Sequence, residues 1–327
     1  MSRTNLYIAG YGKVGKALVQ MLAENAPGIA SRKGVQLVLC GLANTRRYIL
    51  NPEGLSWEGI ADRLANGIIP GTAFSEALPQ ADGNSIFVDC TADAGMGDLY
   101  PSIFRKGYSV VACNKIPFSG SYAKFRALHE EAIKCGVSLH YETTAGAALP
   151  VLVTLDRVLQ SGDEFVKMEA VLSGTLNYLL DNYKGKDFVL LVEDARKKGY
   201  TEPDPAIDLS GKDVLRKTII LSRQLGIPLE QEQVALEPIP DNIEERYRQA
   251  AVKGLILRYV ASVTPDGKAE VGLREVSPES PLAALHGTDN AVLITTKDYP
   301  SPMLIQGAGA GPRQTAGGIL ADILLNS

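Results

Sequence analysis

The chain has 327 residues, which exceeds what one hydrophobic core usually organises, so two domains are expected. Its composition, with 45% hydrophobic and 21% charged residues, is typical of a globular protein, and the net charge of −4 provides no broad basic field. Nucleic acid and anionic membranes are therefore excluded as main partners, whereas a local basic pocket for a phosphate is not.

The cysteines and the N-terminus bear on the compartment. The four cysteines form no CxxC pair and are too few for a disulfide scaffold: Cys40, Cys90, Cys113 and Cys135. The chain opens MSRTNLYIAGYG, without the apolar core of a signal peptide, and no stretch approaches 18 uninterrupted apolar residues. We therefore expect a protein of the reducing cytoplasm with no membrane span.

The first 145 residues alternate short apolar runs with amphipathic segments. Strands are predicted at 5–9, 35–43, 85–92, 108–114 and 138–144, and helices at 16–25 and 121–136. The strands are nearly continuous in Val, Ile, Leu and Cys, which is typical of strands covered on both faces. This alternation predicts an α/β fold with a doubly wound parallel sheet of the Rossmann type.

The first predicted strand runs directly into a glycine-rich loop, GYGKVG. Gly10, Gly12 and Gly15 form a GxGxxG motif, with Lys13 and Val14 between the last two glycines. Such a motif serves a tight turn, close approach of the backbone to a pyrophosphate and helix packing, and the helix N-terminus adds N–H donors. Between a strand and a helix, the motif favours dinucleotide binding over a merely structural loop.

The second strand ends in GLANTRRY, where a dinucleotide site meets the adenosine ribose. An NAD site usually carries an acid there and an NADP site a cation. Asn44, Arg46 and Arg47 occupy this stretch, which has no acid, so NADP is the preferred cofactor and NAD the alternative. Arg46 or Arg47 is predicted on the 2′-phosphate; the competing interpretation is that both are solvated loop residues.

Ligands of a doubly wound sheet bind beyond the carboxyl ends of its strands. Thr91, Ala92 and Lys115 follow the third and fourth strands. Lys115 can hold a carboxylate or polarise a carbonyl oxygen, or it can simply begin a loop. Glu142 precedes a small-residue loop, AGAALP, whose carbonyls suit either a monovalent cation or an ordinary domain crossover.

After residue 145 the pattern changes to mixed helices and strands, which predicts an α+β domain over 146–306. A helix is predicted at 149–163, strands at 164–174, 291–299 and 301–309, and a hairpin with a Pro-Asp-Gly turn at 257–277. The last helix is predicted at 315–325. The segment 307–327 is expected to return to the nucleotide-binding domain, 1–145.

The stretch GYTEPDPAIDLSGKDVLRK, residues 199–217, concentrates acids before a helix. Ser210 and Asp213 match a capping box, and Asp213 and Lys217 are an (i, i+4) pair, so one interpretation is a capped surface helix. The other is a site, because Glu202, Asp213 and Lys217 offer carboxylates and an ammonium group. A capped helix is also a rigid platform, so the two interpretations are compatible.

That stretch follows LSGTLNYLL, and with YETTAGAALPV, CNKIPFS and GAGAGPRQTAGGILADIL it resembles homoserine dehydrogenases over essentially the whole chain. The resemblance implies reversible NAD(P)H-dependent reduction of L-aspartate 4-semialdehyde to L-homoserine, in threonine, methionine and isoleucine biosynthesis. It also implies a substrate-binding and dimerisation role for the second domain, as a homodimer or a dimer of dimers.

The resemblance also implies residue roles. Lys217 matches the proton donor to the aldehyde oxygen, and Lys115 a lysine at the cofactor and substrate cleft. Substrate-binding positions are Glu202, Asp213, Thr175 and Tyr200. Gly309 matches a cofactor contact. A sodium site is implied at Glu142 and the carbonyls of Ala145, Ala147 and Leu149.

The chain departs from the family pattern at several positions. Ala145 and Ala148 stand where a bulkier valine and a smaller glycine are expected, and PAIDLSG stands where an acid or basic pair is common. The chain ends soon after TAGGILADIL. We therefore expect a short, monofunctional form without a C-terminal regulatory domain or an aspartate kinase portion.

Two other functions compete with this one. An aldehyde-oxidising semialdehyde dehydrogenase would need a cysteine nucleophile, for which Cys113 is the candidate, but no histidine partner is evident among His129, His140 and His286. A non-catalytic dinucleotide sensor would keep the glycine loop and lose the substrate site. The intact set of Glu202, Asp213 and Lys217 argues against the sensor.

Overall fold

A computed structural model describes residues 1–69, 71–185 and 187–326, so Ser327, the last residue of the segment 307–327, lies outside the described residues. The chain divides into two compact units. Unit 1 comprises Met1–Ala148 and Gly311–Ser327, and unit 2 comprises Leu149–Ala310. Elements are numbered along the chain, and each unit is described by itself.

Unit 1 combines a sheet with helices. Its strands are β1 (Ser2–Ala9), β2 (Val35–Ala43), β3 (Tyr48–Leu50), β4 (Asn84–Asp89), β5 (Ser109–Ala112) and β6 (Leu139–His140). Its helices are α1 (Lys13–Lys33), α2 (Ile60–Ala65), α3 (Phe74–Ala77), α4 (Met96–Arg105), α5 (Ile116–Ser119), α6 (Tyr122–Cys135), α7 (Thr143–Gly146) and α14 (Pro312–Leu325).

The described strands of unit 1 form one sheet in the order β3-β2-β1-β4-β5-β6. All neighbours pair in parallel except β3, a short edge strand antiparallel to β2. The predicted doubly wound sheet of the Rossmann type is therefore confirmed. The edge strand β3 was not predicted, because three residues are too short to show a hydrophobic period.

The predicted strand at 138–144 is wrong in its second half. Only Leu139–His140 pair with β5, and the chain then turns into α7. The backbone N–H and the hydroxyl of Thr144 both donate to the Tyr141 carbonyl, at 3.1 and 2.7 Å. These local bonds replace sheet pairing, which is how threonine often ends a strand.

The core of unit 1 joins its first and last helices to the sheet. Apolar residues of β1, β2 and β4 share one buried cluster with α1 and with Ile319 and Ile323 of α14. Because α14 completes this cluster, the end of the chain belongs to the packing of unit 1. The strands contribute apolar residues along most of their length, because strands covered on both faces need apolar residues throughout.

Unit 2 is an α+β unit. Its strands are β7 (Phe165–Val171), β8 (Val234–Leu236), β9 (Ile256–Val263), β10 (Ala269–Val276), β11 (Asp289–Thr296) and β12 (Met303–Ala308). Its helices are α8 (Leu152–Gln160), α9 (Gly174–Asn182), α10 (Phe188–Lys197), α11 (Pro205–Leu209), α12 (Lys212–Gln224), a 3₁₀ turn (Gln231–Gln233) and α13 (Ile243–Val252).

The described strands of unit 2 form a mixed sheet in the order β12-β11-β7-β9-β10-β8. Only β8 and β10 pair in parallel. The predicted hairpin is confirmed as β9 and β10, whose turn is closed by the Thr264 N–H donating to the Lys268 carbonyl at 3.1 Å. Across the described part of the chain, no helix has both the length and the apolarity that a bilayer crossing requires.

Candidate active site

The three glycines of the loop between β1 and α1 differ in what the fold asks of them. Gly10 has a φ of 97°, and a Cβ there would lie 2.6 Å from the Cys90 carbonyl oxygen. A Cβ on Gly15 would lie 1.9 Å from the Gly10 carbonyl oxygen. Gly12 has a φ of −84° and no described atom within 4 Å of the same position. Packing therefore explains Gly10 and Gly15, whereas Gly12 faces open space that a bound pyrophosphate would use.

The start of α1 supplies donors to that space. Gly12 is its N-cap and brings no side-chain acceptor, and the first helical bond runs from the Lys16 N–H to the Gly12 carbonyl at 3.0 Å. The preceding N–H groups, those of Lys13, Val14 and Gly15, lie in the first turn, where the helix makes no bonds to them. This arrangement suits an anion.

The two arginines after β2 are held differently. The Asn44 side-chain oxygen accepts from the backbone N–H groups of Arg46 and Arg47, both at 2.8 Å, which fixes the turn. The Arg47 guanidinium donates to the Gly67 carbonyl at 2.8 Å, so this arginine fastens the turn to the segment before α3. Arg46 is exposed. Of the two, Arg46 is the more exposed, and its contact with a phosphate stays a prediction.

A buried carboxylate joins the ends of β4 and β5. Asp89 is fully buried and accepts from the Thr91 N–H at 2.8 Å, the Tyr100 hydroxyl at 2.6 Å and the Asn114 amide at 3.2 Å. Burial raises the pKa of this carboxyl. The predicted site includes Thr91 and Ala92, which follow Asp89, but not Asp89 itself. The sequence gives no sign of the hydrogen-bond partners of an aspartate at the end of an apolar strand.

Lys115 is half-buried and is the N-cap of α5. Its carbonyl accepts from the Ser119 hydroxyl at 2.9 Å and from the Phe118 N–H at 3.2 Å. At the ends of the two neighbouring strands, the Asn114 amide nitrogen donates to the Thr91 hydroxyl oxygen at 3.4 Å. Within unit 1 the predicted positions 91, 92 and 115 therefore lie on one supported rim at the carboxyl ends of parallel strands.

In unit 2, α12 carries Lys217 on its buried face. Lys217 is 6% exposed, donates its Nζ to the Leu172 carbonyl at 2.7 Å and pairs with Asp213 at 3.0 Å. Lysine is almost never buried unless it is paired. The predicted (i, i+4) pair is confirmed, but it is not the exposed surface pair of the simpler interpretation.

The predicted capping box at the start of α12 is wrong. The N-cap is Gly211, with a φ of 71° and no side-chain cap, while the Ser210 hydroxyl donates to the Ile207 carbonyl at 2.6 Å. A Cβ on Gly211 would lie 2.0 Å from the Tyr259 hydroxyl oxygen. Close packing against β9 therefore fixes the start of the helix, in place of a cap.

Asp208 is a hydrogen-bond acceptor beside the predicted substrate-binding positions of unit 2, and it is not among the predicted site residues. It accepts from the Glu202 N–H at 2.8 Å and from the Thr175 hydroxyl at 3.2 Å. Thr175 also donates to the Tyr200 carbonyl at 2.5 Å. Burial, together with the charges of Glu202 and Asp213, raises the pKa of Asp208. Unit 2 thus brings the predicted positions 175, 200 and 202 into one hydrogen-bond network around Asp208, while Asp213 acts on Asp208 through its charge.

Gly309 and Leu149 belong to unit 2, although the other predicted cofactor-binding and cation-binding residues belong to unit 1. Gly309 follows β12, and a Cβ on it would lie 1.9 Å from the Asn290 side-chain nitrogen, so the fold of unit 2 already requires glycine there. Leu149 begins unit 2, and its carbonyl accepts from the Val151 N–H at 2.8 Å. The ligand contacts of both residues stay predictions.

The predicted cation ligands in unit 1 lie around α7. Ala147 ends this turn with a φ of 53°, a left-handed conformation that costs a non-glycine residue about 1–3 kcal/mol. Its carbonyl lies 3.0 Å from where a Cβ on Gly318 would stand. The Glu142 carbonyl accepts from the Ala145 N–H at 3.5 Å. Whether these carbonyls converge on one point, as oxygen ligands of a cation must, stays a prediction.

A second carboxylate lies beside this loop. The Glu142 N–H donates to Asp322 of α14 at 3.2 Å. Burial and the charge of Glu142 raise the pKa of Asp322 to about 7. Among the residues that the structure describes, no group of three or more His, Cys, Asp or Glu side chains could hold a metal ion.

The cysteine expected of an aldehyde-oxidising enzyme is poorly placed. Cys113 follows β5, and its neighbour across the sheet is Cys90, whose pKa is raised by the contact with Cys113 and by burial. In the described bonds the histidine rings contact other groups: Phe125 and Tyr141 for His129, Asn326 for His140, and Asp181 for His286. The geometry does not favour a cysteine–histidine pair.

Two protein-family models match the chain. The model described as homoserine dehydrogenase matches residues 150–324, and the model described as the NAD-binding domain of homoserine dehydrogenase matches residues 10–142.

Individual relatives agree with the family models. Homoserine dehydrogenase of Emericella nidulans is 34% identical over 98% of this chain and 97% of its own length. The chloroplastic bifunctional aspartokinase/homoserine dehydrogenase 1 of Zea mays is 33% identical over 99% of this chain, and the chain spans 38% of that protein. A hyperthermophilic archaeal homoserine dehydrogenase solved with NADPH is 26% identical, with a TM-score of 0.83 over 98% of this chain and 97% of that one.

Proposed function

This chain belongs to the homoserine dehydrogenase family, and we propose that it catalyses the reversible reduction of L-aspartate 4-semialdehyde to L-homoserine, with NADP(H) preferred over NAD(H). The reaction serves threonine, methionine and isoleucine biosynthesis. Because the chain spans about two fifths of the length of the bifunctional relatives, the activity is proposed for the dehydrogenase reaction alone.

Unit 1 is proposed to bind the dinucleotide. The open space at Gly12 and the N-terminus of α1 suit the pyrophosphate, and the exposed Arg46 suits a 2′-phosphate. When bound, NADPH supplies the hydride. The rim formed by Thr91, Ala92 and Lys115 is proposed to face the nicotinamide end, since it lies at the carboxyl ends of the strands.

Unit 2 is proposed to bind the amino-acid substrate. Glu202 and Asp213 supply negative charge for its ammonium group, and the Tyr200 carbonyl and Thr175 hydroxyl add polar contacts. Asp208 keeps these groups in register, because it bonds both the backbone at Glu202 and the side chain of Thr175. A carboxylate held by such neighbours loses little entropy on binding a ligand.

The observation that carries the proposal is the buried Lys217. As negative charge develops on the aldehyde oxygen, the ammonium of Lys217 can stabilise it and then donate the proton. The Leu172 carbonyl and Asp213 hold the ammonium in one position. In the reverse direction the same amine accepts the proton of the homoserine hydroxyl.

A monovalent cation, sodium, is proposed at Glu142 and the carbonyls of Ala145, Ala147 and Leu149. Its support in unit 1 is the strained Ala147 and the pair of carboxyl groups, Glu142 and Asp322, whose repulsion a cation would relieve.

Two further properties belong to the proposal. A homodimer or a dimer of dimers through unit 2 is supported by Val166 and Leu304, exposed apolar residues on β7 and on the edge strand β12. The cytoplasm is supported by the free thiols of the four cysteines.

The test of the proposed function is an assay of the purified protein with L-homoserine and with the semialdehyde, using NADP(H) and NAD(H) in parallel. We expect turnover with both cofactors and a higher kcat/KM with NADP. Arg46→Ala should raise the KM for NADP about 10-fold or more, because a phosphate loses a charge-assisted bond of about 1.5–3 kcal/mol, and should leave the KM for NAD unchanged.

Arg63→Ala is the matched control, since Arg63 is another exposed arginine of unit 1 that no predicted site includes. Equal effects of Arg46→Ala on the two cofactors would remove Arg46 from the phosphate site. A protein inactive with both cofactors in both directions would refute the proposed function.

A further inference from the structure

The side chain of Asp89 is the acceptor at the centre of a network in unit 1 that the proposed reaction does not itself account for. Three donors converge on its two oxygens: the Thr91 N–H, the Tyr100 hydroxyl and the Asn114 amide. Their positions come from three different elements, the turn after β4, helix α4 and the end of β5. Three donors on one carboxyl group suit an ionised acid, which has only acceptor sites.

The carboxyl group of Asp89 is buried among neutral hydrogen-bond donors. Asp89 and Tyr100 are fully buried, and Asn114 is 3% exposed. In the described bonds to Asp89 every donor is neutral, so the negative charge is balanced by hydrogen bonds and not by an ion pair. A buried charge with neutral partners is expensive to keep. An apolar residue would serve the core better, so the carboxylate has another role.

The contacts of Asn114 connect Asp89 to the predicted site. The Asn114 amide nitrogen also donates to the Asp93 carbonyl at 2.9 Å, and its oxygen accepts from the Ile116 N–H at 3.1 Å. Residues 114 and 116 flank Lys115, so the side chain of Asn114 fixes the backbone on both sides of that lysine. On the other strand, Asp89 fixes the N–H of Thr91 directly.

We propose that Asp89 is a positioning residue that holds the Thr91–Ala92 turn and Lys115, through Asn114, in the geometry that receives the nicotinamide half of the cofactor. The inference rests on the proposed function, because it assigns the rim of unit 1 to that half. It predicts that different residues of unit 1 bind the two halves of the cofactor. The glycine loop and Arg46 bind the phosphates, and the Asp89 network shapes only the reacting end.

The experiment uses Asp89→Asn in the full chain. The amide keeps the size of the side chain but replaces one acceptor oxygen with a donor, which then faces donors. We expect kcat to fall about 10- to 100-fold, as for other groups that orient a ligand-binding residue. The dissociation constant for NADPH should rise, while that for adenosine 2′,5′-bisphosphate, which lacks the nicotinamide, should stay at the wild-type value.

Tyr100→Phe and Tyr108→Phe each remove one buried hydroxyl. Tyr108→Phe is therefore the control for the loss of stability that this removal causes. Tyr108 is also fully buried in unit 1, but its hydroxyl donates to the Pro79 carbonyl at 3.1 Å, away from Asp89. Tyr100→Phe should weaken NADPH binding relative to the bisphosphate, and Tyr108→Phe should not. Both are expected to lower the melting temperature of unit 1 to a similar extent.

The outcomes separate the inference from the proposed function. Unchanged kcat and NADPH binding in Asp89→Asn would overturn the inference, as would an equal loss of NADPH and bisphosphate binding. Equal effects of the two tyrosine variants on NADPH binding would also overturn it. If the wild-type protein had no activity with homoserine, the proposed function would fail, and the two dissociation constants would still decide the role of Asp89.

Discussion

Lys217 keeps an ammonium group on the buried face of α12, beside Val214, Thr218 and Ile220. Desolvating a lysine is unfavourable unless its charge is compensated, and here the Leu172 carbonyl and Asp213 provide the compensation. A lysine whose task is only to cap or cover a helix would extend its ammonium to water. The geometry at this residue therefore agrees with the proposed proton donor.

Replacing Lys217 tests that role. Lys217→Met keeps the length of the side chain and removes the ammonium, so kcat should fall about 10²- to 10⁴-fold, the range typical of general acid–base catalysis. The dissociation constant for NADPH should not change, because the proposed cofactor site lies in unit 1. Steady-state kinetics and NADPH fluorescence titration measure the two effects.

Lys212→Met is the matched control, because Lys212 is an exposed lysine on the same helix. It should retain wild-type kinetics. If Lys217→Met kept most of the turnover, Lys217 would not be the proton donor.

At the scale of elements, the β1–loop–α1 unit shows two separate reasons for glycine. Gly15 lets the first turn of α1 pack on the preceding loop, and Gly12 leaves the space in front of the helix open. The GxGxxG motif alone does not distinguish these reasons, because the sequence shows only that both positions are glycine.

The two glycines should respond differently to alanine. Gly12→Ala should fold normally, since its φ of −84° suits alanine, but should weaken NADPH binding about 10-fold or more because the new methyl group enters the space proposed for the pyrophosphate. Gly15→Ala should lower the free energy of unfolding by about 1–3 kcal/mol or more, because its Cβ would overlap the Gly10 carbonyl.

Thermal unfolding and NADPH titration of both variants check this prediction. Wild-type NADPH affinity in Gly12→Ala would show that the open space is not where the cofactor binds. A fully stable Gly15→Ala would contradict the packing at the start of α1.

At the scale of the whole molecule, the two units have separate cores and can unfold in separate transitions, so a single melting temperature does not describe both. The chain has one tryptophan, Trp57, which packs against the core of unit 1. Its fluorescence therefore reports on unit 1 specifically.

Acid should destabilise unit 1 through the half-buried His129. The His129 ring contacts the Phe125 carbonyl at 2.9 Å and the Tyr141 hydroxyl at 3.3 Å, and burial lowers its pKa. As the pH falls below about 6.5, the unfolded chain binds a proton before the folded one does. The folded state is therefore fully stabilised by neutral His129 only above this pH. That stability is lost progressively as the pH falls from the unfolded pKa to the lower pKa of the folded state.

We expect the free energy of unfolding of unit 1, followed by Trp57 fluorescence, to fall less between pH 7.5 and 5.5 in His129→Gln than in the wild type. His286→Gln is the control, because that ring is 82% exposed and lies in unit 2. An identical pH response of His129→Gln and the wild type would refute the assignment.

Much of the fold follows from the sequence because its signals are local. Continuous apolar strands, the glycine loop and the Pro-Asp-Gly turn predict the sheet of unit 1 and the β9–β10 hairpin. One error comes from a contact between residues far apart in the chain, and the other from a local bond that the apolar pattern does not reveal. Gly211 replaces the expected cap because Tyr259 approaches it, and Thr144 ends β6 by bonding to Tyr141.

The sequence by itself determined the family, the Rossmann sheet and the choice of Glu202, Asp213 and Lys217, because these depend on motifs read along the chain. Only the tertiary structure decided that Lys217 is buried, that Arg47 is bonded to Gly67 while Arg46 is exposed, and that Asp208 and Asp89 each hold a network together. The physical reason is that burial and hydrogen-bond partners depend on residues far apart in the chain, which no local pattern records.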